Sequence, residues 1–516
     1  MDDIMARILS FGVSGVNGFP VQVEVFSING IPAMEIIGLP DTSVRESKDR
    51  VSAAMINCGK EIVPKRITVN LAPADMKKEG PSFDLPIAVG VMISTGQVIP
   101  DPGIDLSDTA FFGELSLDGY IQPINGALPM VISAKENGIQ NVILPEKNAK
   151  EVSCIQGINV FPVSHLKQVI HYCEGTEVLQ PQEQIPFEAL KRESVLSSDM
   201  VLIKGQKGPR RAIEVAAAGG HNMLMIGVPG SGKTMLARCI PGILPPMTFE
   251  ESLETTRIHS ICGKLPPDNG LMINRPFCSP HHNASVASLI GGGQDAKPGE
   301  VSLAHNGVLF LDELPEFTRS ALEALRQPLE DGYVTVARVK KQARYQSSFM
   351  LVAAMNPCPC GFFGSSRRAC RCTPQEIRRY LDRISGPLLD RIDLQIEVDS
   401  VPVNEINDTG LSESSAAVAA RVQNARDIQH ERYKDVHIHC NAQLTNAEVK
   451  KYCSVSDEAQ RLFDAAIESF HFSMRAYQRI LKVARTIADL ANESHVNSAH
   501  IAEAIQYREL DQKYWR

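Results

Sequence analysis

A glycine-rich loop lies between two apolar segments and reads Gly227-Val228-Pro229-Gly230-Ser231-Gly232-Lys233-Thr234. The apolar run 223–226 before it and the helix-forming run 235–238 after it predict a strand, a tight loop and a helix. In such a loop, backbone N–H groups converge on phosphate oxygens, the lysine reaches the β- and γ-phosphates, and the threonine hydroxyl binds Mg²⁺. We therefore predict that all eight residues bind ATP and that Thr234 is a magnesium ligand.

A downstream apolar run ends in two carboxylates and reads Val308-Leu309-Phe310-Leu311-Asp312-Glu313. A short, continuous apolar run is typical of a buried parallel strand. At the carboxyl end of this strand, Asp312 would bind Mg²⁺ through water, and Glu313 would polarise the water that attacks the γ-phosphate. The alternative is a core strand that ends in two solvated acids. Because the glycine-rich loop precedes it, the run predicts ATP hydrolysis.

The composition indicates a chain with several packed cores. Its 516 residues are 43% hydrophobic, and this length predicts about three domains. The sequence contains no run of about eighteen apolar residues and no signal-peptide pattern, so we expect a soluble cytoplasmic protein without membrane contact. Without secretory context the twelve cysteines are expected to be reduced, and any function they have would lie in metal binding.

Positive charge is concentrated in one region, although the whole chain has a net charge of −8. Residues 338–383 contain ten Lys and Arg against two acids. This concentration is typical of a polyanion contact; the alternative is a solvated surface or pairing between subunits. Within this region, 333–338 alternates and predicts a hairpin with 345–348, which would place Lys340, Lys341 and Arg344 at its tip. The predicted DNA-binding residues are Arg338, Lys340, Lys341, Arg344, Arg367, Arg368 and Arg371.

The N-terminal region, 1–173, predicts a mixed α/β domain with strands at 21–25 and 67–71 and a helix at 43–58. Two of its segments, 80–85 and 113–119, resemble the proteolytic domain of Lon proteases, and Ser82 falls where that family has its nucleophile. A serine nucleophile needs a base, which in that family is a lysine. Leu128 occupies the matching position here, so we expect no peptidase activity and a structural or substrate-guiding role.

Three further residues resemble parts of AAA+ ATPases. Asn356 follows a predicted strand, 349–354, where that class places the polar residue that orients water; capping of the turn before Pro357 is the alternative. The stretch 385–394 resembles the one that carries the arginine finger of MCM helicases and magnesium chelatase subunits, and Arg391 matches the finger. An Arg–Asp pair at a domain seam is the alternative. A finger would make the active unit an oligomer, because it acts on the neighbouring subunit's γ-phosphate.

The helix predicted to begin at Ser473 carries the third residue, Arg475, which fits the second sensor of AAA+ proteins. Apolar residues at helical spacing would form its buried side. The opposite face is predicted to be basic, and a plain solvated face explains Lys482 and Arg485 equally well.

Four cysteines follow the pattern C-x-C, nine residues, C-x-C at Cys358, Cys360, Cys370 and Cys372. Four thiols that are close in sequence could form a tetrahedral zinc site, with buried or reactive thiols as the alternative. The adjacent histidines His281 and His282 have no carboxylate or thiol at ligand spacing. For them we expect loop packing or a phosphate contact.

The whole chain resembles the YifB/ComM family of magnesium chelatase-like bacterial proteins. The segments that carry the resemblance are the Lon-like region, 227–234, 303–313, 356–361 and 473–477. The resemblance implies a hexameric AAA+ motor that binds single-stranded or branched DNA and drives branch migration in recombination and natural transformation. A chelatase-type remodelling ATPase and an ATP-dependent protease are the alternatives.

The predicted fold class is α/β with three domains and one linker. A Lon-like domain at 1–173 is followed by a linker at 174–198. An AAA+ αβα core with a parallel sheet spans 199–405 and contains the Cys/Arg-rich insertion 338–383, and a helical lid spans 406–516.

Overall fold

The computed structural model describes residues 5–61, 63–191, 198–266, 270–293, 296–338, 341–365, 368–401, 412–436 and 438–515. The side chains of 191, 337, 338, 341 and 342 are not described.

In chain order the described strands are β1 (Met5–Ser14), β2 (Asn17–Asn29), β3 (Ala33–Ile37), β4 (Lys65–Ala72), β5 (Thr109–Phe111), β6 (Glu114–Leu115), β7 (Ile121–Gln122), β8 (Asn141–Pro145), β9 (Asn159–Val163), β10 (Met223–Ile226), β11 (Phe277–Cys278), β12 (Gly291–Gly292), β13 (Lys297–Pro298), β14 (Val308–Leu311), β15 (Tyr333–Arg338), β16 (Lys341–Gln346), β17 (Met350–Met355) and β18 (Leu394–Glu397).

The described helices are α1 (Thr42–Asn57), α2 (Asp84–Ser94), α3 (Ala127–Glu136), α4 (Glu146–Val152), α5 (Leu166–Cys173), α6 (Phe187–Lys191), α7 (Lys207–Gly219), α8 (Lys233–Cys239), α9 (Phe249–Ile261), α10 (Val286–Ile290), α11 (Glu300–Leu303), α12 (Arg319–Ala324), α13 (Arg326–Asp331), α14 (Pro374–Leu381), α15 (Gly386–Leu389), α16 (Ser415–Arg432), α17 (Asn446–Tyr452), α18 (Asp457–Phe470), α19 (Met474–Leu490), α20 (Ser498–Gln506) and α21 (Leu510–Trp515). Each is too short or too polar to traverse a lipid bilayer.

The chain folds as two units, the first comprising Met1–Glu193 and Phe249–Ile273 and the second Ser194–Thr248 and Asn274–Arg516. A seven-stranded sheet in the order β3-β4-β2-β1-β5-β8-β9 forms the centre of the first unit. The alternation predicted for 21–25 is present, since Val21, Val23 and Val25 are fully buried on one face. Helix α9 packs on α3 in this unit, although its sequence lies within the range predicted for the ATPase core.

A parallel sheet in the order β11-β14-β17-β10-β18 forms the centre of the second unit. Every residue of β10, β14 and β17 is buried, as expected for a sheet with helices on both faces. In the sheet register, Ile226 pairs with Met355 and Leu311 with Ala353. The loops that leave β10, β14 and β17 therefore emerge at one edge, where parallel α/β sheets bind ligands.

The C-terminal helices α16 to α21 confirm the predicted helical region. Ser473 caps α19, and Ile480, Val483 and Ile487 are buried as predicted. The interpretation of Arg485 as part of a solvated helix face was wrong, because this side chain is fully buried. It hydrogen-bonds Asp489 at 3.1 Å, one helical turn ahead, and the carbonyl of Ser494 at 2.6 Å. Helical spacing could not reveal the second partner, because Ser494 lies beyond the helix.

The predicted basic hairpin exists as β15 and β16, but its strands are longer than expected. The pairing continues to Arg338 opposite Lys341. Placing Arg344 at the tip was therefore wrong. Arg344 pairs with Thr335 inside the ladder, and its guanidinium lies 3.5 Å from the centre of the Tyr333 ring.

Candidate functional site

The glycine-rich loop leaves β10 and closes onto α8 with two glycines in the left-handed region. Gly230 has φ 77° and Gly232 has φ 90°, and a Cβ at either would meet nothing within 4 Å. These two positions therefore require glycine for its backbone conformation, since other residues rarely adopt such φ angles. Gly227 is required for space instead, because a Cβ there would lie 2.2 Å from the carbonyl oxygen of Val398. The loop thus has the open, Cβ-free concave side that a phosphate needs.

Lys233 is the first residue of α8, and its side chain is buried against the loop. Its Nζ donates to the carbonyls of Gly227 at 2.7 Å and Val228 at 3.0 Å, and it lies 3.4 Å from Oδ1 of Asn356. Burial lowers the pKa of Lys233, and the nearby carboxylates of Asp312 and Glu313 oppose this shift. Asn356 therefore lies beside Lys233, as the sequence prediction of a shared site requires.

Thr234 and Asp312 are brought together as a magnesium site requires. The hydroxyl of Thr234 donates to Oδ2 of Asp312 at 2.9 Å, and Oδ1 of Asp312 accepts from the backbone N–H of Glu313 at 2.9 Å. Hard oxygen donors of this kind suit Mg²⁺, which takes one or two protein ligands and completes its shell with water and phosphate. The two residues therefore fit the metal of a bound magnesium nucleotide.

Glu313 has an unusual backbone and a histidine partner. Its φ of 52° lies in the left-handed region, and its side chain is 53% exposed. Nδ1 of His282 lies 3.2 Å from Oε2 of Glu313, and the ring of His281 lies 4.1 Å from that of His282. Sequence reasoning missed this pair. Strand order is the signal that could have found this pair. His282 follows β11, Glu313 follows β14, and these two strands are neighbours in the sheet.

The two predicted arginines, Arg391 and Arg475, are linked through Asp390. Arg391 is 14% exposed and donates to the carbonyl of Pro387 at 2.8 Å and to Glu330. Arg475 is 70% exposed and pairs at 3.2 Å with Asp390, the residue before Arg391. The stretch that carries Arg391 is thus joined to α19 by an ion pair.

A second link between these elements is buried. Asp393 accepts from Arg479 of α19 at 2.5 Å, and its other oxygen lies 3.1 Å from Nδ1 of His221. Burial, the largest single influence, raises the pKa of Asp393, but the positive charge of Arg479 and the hydrogen bond from His221 outweigh it and lower that pKa. The carboxylate therefore stays ionised and fixes α19 to the start of β18.

The four cysteines of the C-x-C pairs converge. Their sulfur atoms all lie within 4.8 Å of one another. The Cys358–Cys360 distance is 3.4 Å, Cys358–Cys370 is 3.7 Å and Cys360–Cys370 is 3.5 Å. A tetrahedron with Zn–S bonds of about 2.3 Å has S···S separations of about 3.8 Å. The cluster could therefore hold a metal ion.

Three of the predicted DNA-binding side chains are described, and all three are exposed. They are Arg344, Arg368 and Arg371. Arg368 lies over the ring of Phe362 with its guanidinium 4.5 Å from the ring centre. Lys340 and Arg367 lie outside the described residues, as do the side chains of Arg338 and Lys341.

The Lon-like serine lacks a base at hydrogen-bond distance. Oγ of Ser82 is buried and has no hydrogen-bond partner among the described residues. Leu128 is fully buried in an apolar cluster with Phe11 and Val131. A buried leucine cannot accept a proton, so this geometry does not supply an activated nucleophile.

Comparisons with known proteins agree with this geometry. Models described as magnesium chelatase, subunit ChlI, match residues 199–406 and, for the C-terminal part, 412–508; subunit ChlI of Mg-chelatase matches 23–148. Competence protein ComM of Haemophilus influenzae is 41% identical over 98% of each chain. The chain belongs to the YifB/ComM family. Another member, the uncharacterized protein YifB of Escherichia coli, is 41% identical over 96% of each chain.

The family's N-terminal part is also related to Lon proteases. Lon protease 2 of Bacillus subtilis is 29% identical over 33% of this chain and 30% of its own length. For this magnesium chelatase-like AAA+ family member, the αβα core with its parallel sheet and the helical C-terminal region are as predicted.

Proposed function

We propose that this chain is an ATP hydrolase that works as a DNA-binding motor, a hexameric branch-migration helicase of the ComM type. The observation that carries the ATPase proposal is the convergence of three strand ends on one site. β10 supplies the loop and Lys233, β14 supplies Asp312 and Glu313, and β17 supplies Asn356. A magnesium-bound triphosphate supplies an electrophilic phosphorus and a leaving group when present.

The residues have separate tasks in hydrolysis. Lys233 exchanges its bonds to the loop carbonyls for phosphate oxygens, so its charge is already positioned in the free protein. Asn356 orients the attacking water, and Glu313 accepts its proton. For Glu313 to do so, its carboxylate must release or share the oxygen that contacts His282.

Arg391 acts on the nucleotide of an adjacent copy. Its bond to Glu330 keeps the guanidinium within its own protomer in this structure, so assembly must exchange Glu330 for phosphate. Arg475 is more exposed and pairs with Asp390, the residue before Arg391, which supports a shared role at the junction between copies. Transition-state contacts of this type are worth about 10³ to 10⁵ in rate.

DNA is the proposed track because exposed arginines continue beyond the hairpin and the cysteine cluster. A cleft of about 710 Å³ between the 315–319 segment and α14 is lined by Arg319, Arg378, Arg379 and Arg383. Glu316 neutralises Arg383 at 2.8 Å, whereas Arg378 is 4.0 Å from Asp382. Arginine surfaces of this kind bind phosphates and release counterions.

The test of this proposal is ATP turnover with and without DNA across a salt series. We expect stimulation by single-stranded and branched DNA that falls steeply as salt rises, because each phosphate contact releases a counterion. If ATP turnover is the same with and without DNA, even at low ionic strength, the DNA-motor proposal is contradicted, but the ATPase proposal is not.

A second function is favoured by the matches to magnesium chelatase subunit ChlI. It is an ATPase that remodels partner subunits during metal insertion into a porphyrin. The same measurement separates the two functions, since a chelatase-type remodeller has no reason to respond to DNA.

We also propose that the four cysteines hold Zn²⁺. Backbone N–H groups support the sulfurs, from Phe363 to Cys358 at 3.3 Å and from Cys372 to Cys370 at 3.4 Å. Such bonds stabilise thiolates around a metal. Elemental analysis of protein purified under reducing conditions should give about one zinc per chain. Less than about half an equivalent would contradict the site.

A further inference from the structure

The cysteine cluster adjoins the phosphate-binding loop. Cys358 comes two residues after Asn356, whose Oδ1 lies 3.4 Å from Nζ of Lys233. Downstream of the last cysteine, α14 returns to the same place, because the Tyr380 side chain lies near the backbone of Asn356. The segments before and after the cluster therefore both reach the residue that faces the nucleotide lysine.

The cluster also contacts the loop directly through Gly361. This residue is buried between Cys360 and Phe362. A Cβ added to it would lie 2.6 Å from Cδ and 2.7 Å from Cγ of Pro229, the third residue of the glycine-rich loop. The ring of a proline cannot rotate away, so the backbone of Gly361 lies directly against the ring of Pro229 with no room for a side chain.

The segment that makes these contacts has little else to hold it in place. Residues 356–365 and 368–373 form no helix or strand. Cys358 is fully buried, but the segment contributes few other buried side chains. The ring of Phe363 meets that of Tyr514 edge to face at 6.3 Å. A loop with so small a core needs a cross-link, and a four-thiolate metal site is one.

We propose that Zn²⁺ on Cys358, Cys360, Cys370 and Cys372 braces the nucleotide loop, so that the affinity for nucleotide depends on the metal. The role follows from the Gly361–Pro229 packing and from the two connections to Asn356. It rests on the proposed ATP site, and it gives the cluster a task in the catalytic unit that is separate from any contact of its arginines with DNA.

A matched pair of glycine variants of the full chain tests the contact. Gly361 and Gly364 both have left-handed backbones, with φ 82° and 77°, but a Cβ at Gly364 would meet nothing within 4 Å. Alanine therefore imposes similar backbone strain at both positions and meets Pro229 at only one. The measurement is the dissociation constant of a fluorescent, non-hydrolysable ATP analogue with Mg²⁺, alongside the zinc content.

We expect Gly361→Ala to retain zinc and to weaken analogue binding by about fivefold or more, and Gly364→Ala to change it by less than about twofold. Equal dissociation constants for the two variants would overturn the bracing role. A zinc content below about half an equivalent in the unmodified protein would also overturn the bracing role, but it would leave the proposed ATPase activity unaffected. Failure of the unmodified protein to bind the analogue would overturn the proposed ATP site as well.

Removal of the metal is a second test of whether the affinity for nucleotide depends on zinc. Cys360→Ser with Cys370→Ser should lose zinc and weaken analogue binding at least as much as Gly361→Ala does. Cys58→Ser, in the other unit, should keep both properties. If the double variant has no zinc but binds the analogue normally and elutes as the folded protein does, the metal does not brace the loop.

Discussion

At the scale of single residues, the proposed nucleotide site is a set of side chains that are already paired. Lys233 is bonded to its own loop, Thr234 to Asp312, and Glu313 to His282. Each partner stands in for something that a magnesium nucleotide or water would supply. The sequence predicted the roles of these residues from spacing alone. It could not predict His282, because that contact depends on which strands are neighbours.

Replacing Glu313 with Gln should lower ATP turnover by about 10² to 10⁴ because the amide cannot accept the proton of the attacking water. Nucleotide binding should persist, since the loop is unchanged. Single-turnover hydrolysis and analogue binding measure the two effects. Glu431→Gln, which removes an exposed carboxylate bonded to Lys434, should have normal turnover. Unchanged hydrolysis in Glu313→Gln would assign the base to another group.

Replacing His282 with Ala should raise turnover without DNA by about two- to fivefold, because a hydrogen bond worth ~1 kcal/mol no longer occupies the carboxylate of Glu313. His281→Ala is the control, because Nδ1 of His281 accepts from the backbone of Asn283 at 3.3 Å instead. Steady-state turnover at saturating ATP measures both. A fall in the His282 variant would mean that the histidine orients the base rather than restraining it.

At the scale of elements, spacing identified the helices and strands that bury a regular face. Helix α7 ends at Gly220 in a left-handed cap, and β10 covers the run predicted for it. The hairpin and α19 show where spacing failed. Arg344 and Arg485 have the same charge, yet one is exposed over a tyrosine and the other is fully buried. Part of the difference comes from the carbonyls of Glu493 and Ser494, which lie outside the helix of Arg485 and which periodicity does not report.

Replacing Arg485 with Met should lower the free energy of unfolding by about 3 kcal/mol, because it removes a fully buried cation from Asp489 and the donor to the carbonyls of Glu493 and Ser494. Arg432 and Asn441 remain as partners of Asp489. Arg475→Met removes an exposed arginine from the same helix and should change it by less than about 0.5 kcal/mol. Denaturant unfolding, followed by the far-ultraviolet signal of the helices, measures both. Equal stability of the two variants would contradict the buried role of Arg485.

At the scale of the whole molecule, the sequence predicts three domains and a linker, and the chain folds as two units. Residues 249–273 belong to the first unit although they lie inside the range predicted for the ATPase core. Their sequence gave no sign of this, because α9 is joined to that unit by Ser260, which hydrogen-bonds the buried Glu151. A contact between residues 109 positions apart leaves no local pattern.

Assembly is the property on which the proposed motor depends most. Lys233→Ala and Arg391→Ala should each be inactive as pure assemblies, because the first lacks a phosphate ligand and the second a finger. Mixed in equal amounts, they should regain activity at about a quarter of the sites, where an intact loop faces an intact finger. Turnover after mixing, with assembly checked by sedimentation, measures this. No recovery in mixed rings would place Arg391 within its own protomer's site.

The most direct measurement is strand exchange on a fluorescently labelled three-way DNA junction with ATP and Mg²⁺. The unmodified protein should convert the junction into its duplex products only when ATP is present, and Glu313→Gln should bind the junction without converting it. A junction that stays intact while ATP is hydrolysed, or that Glu313→Gln resolves at the normal rate, would contradict an ATP-driven DNA motor.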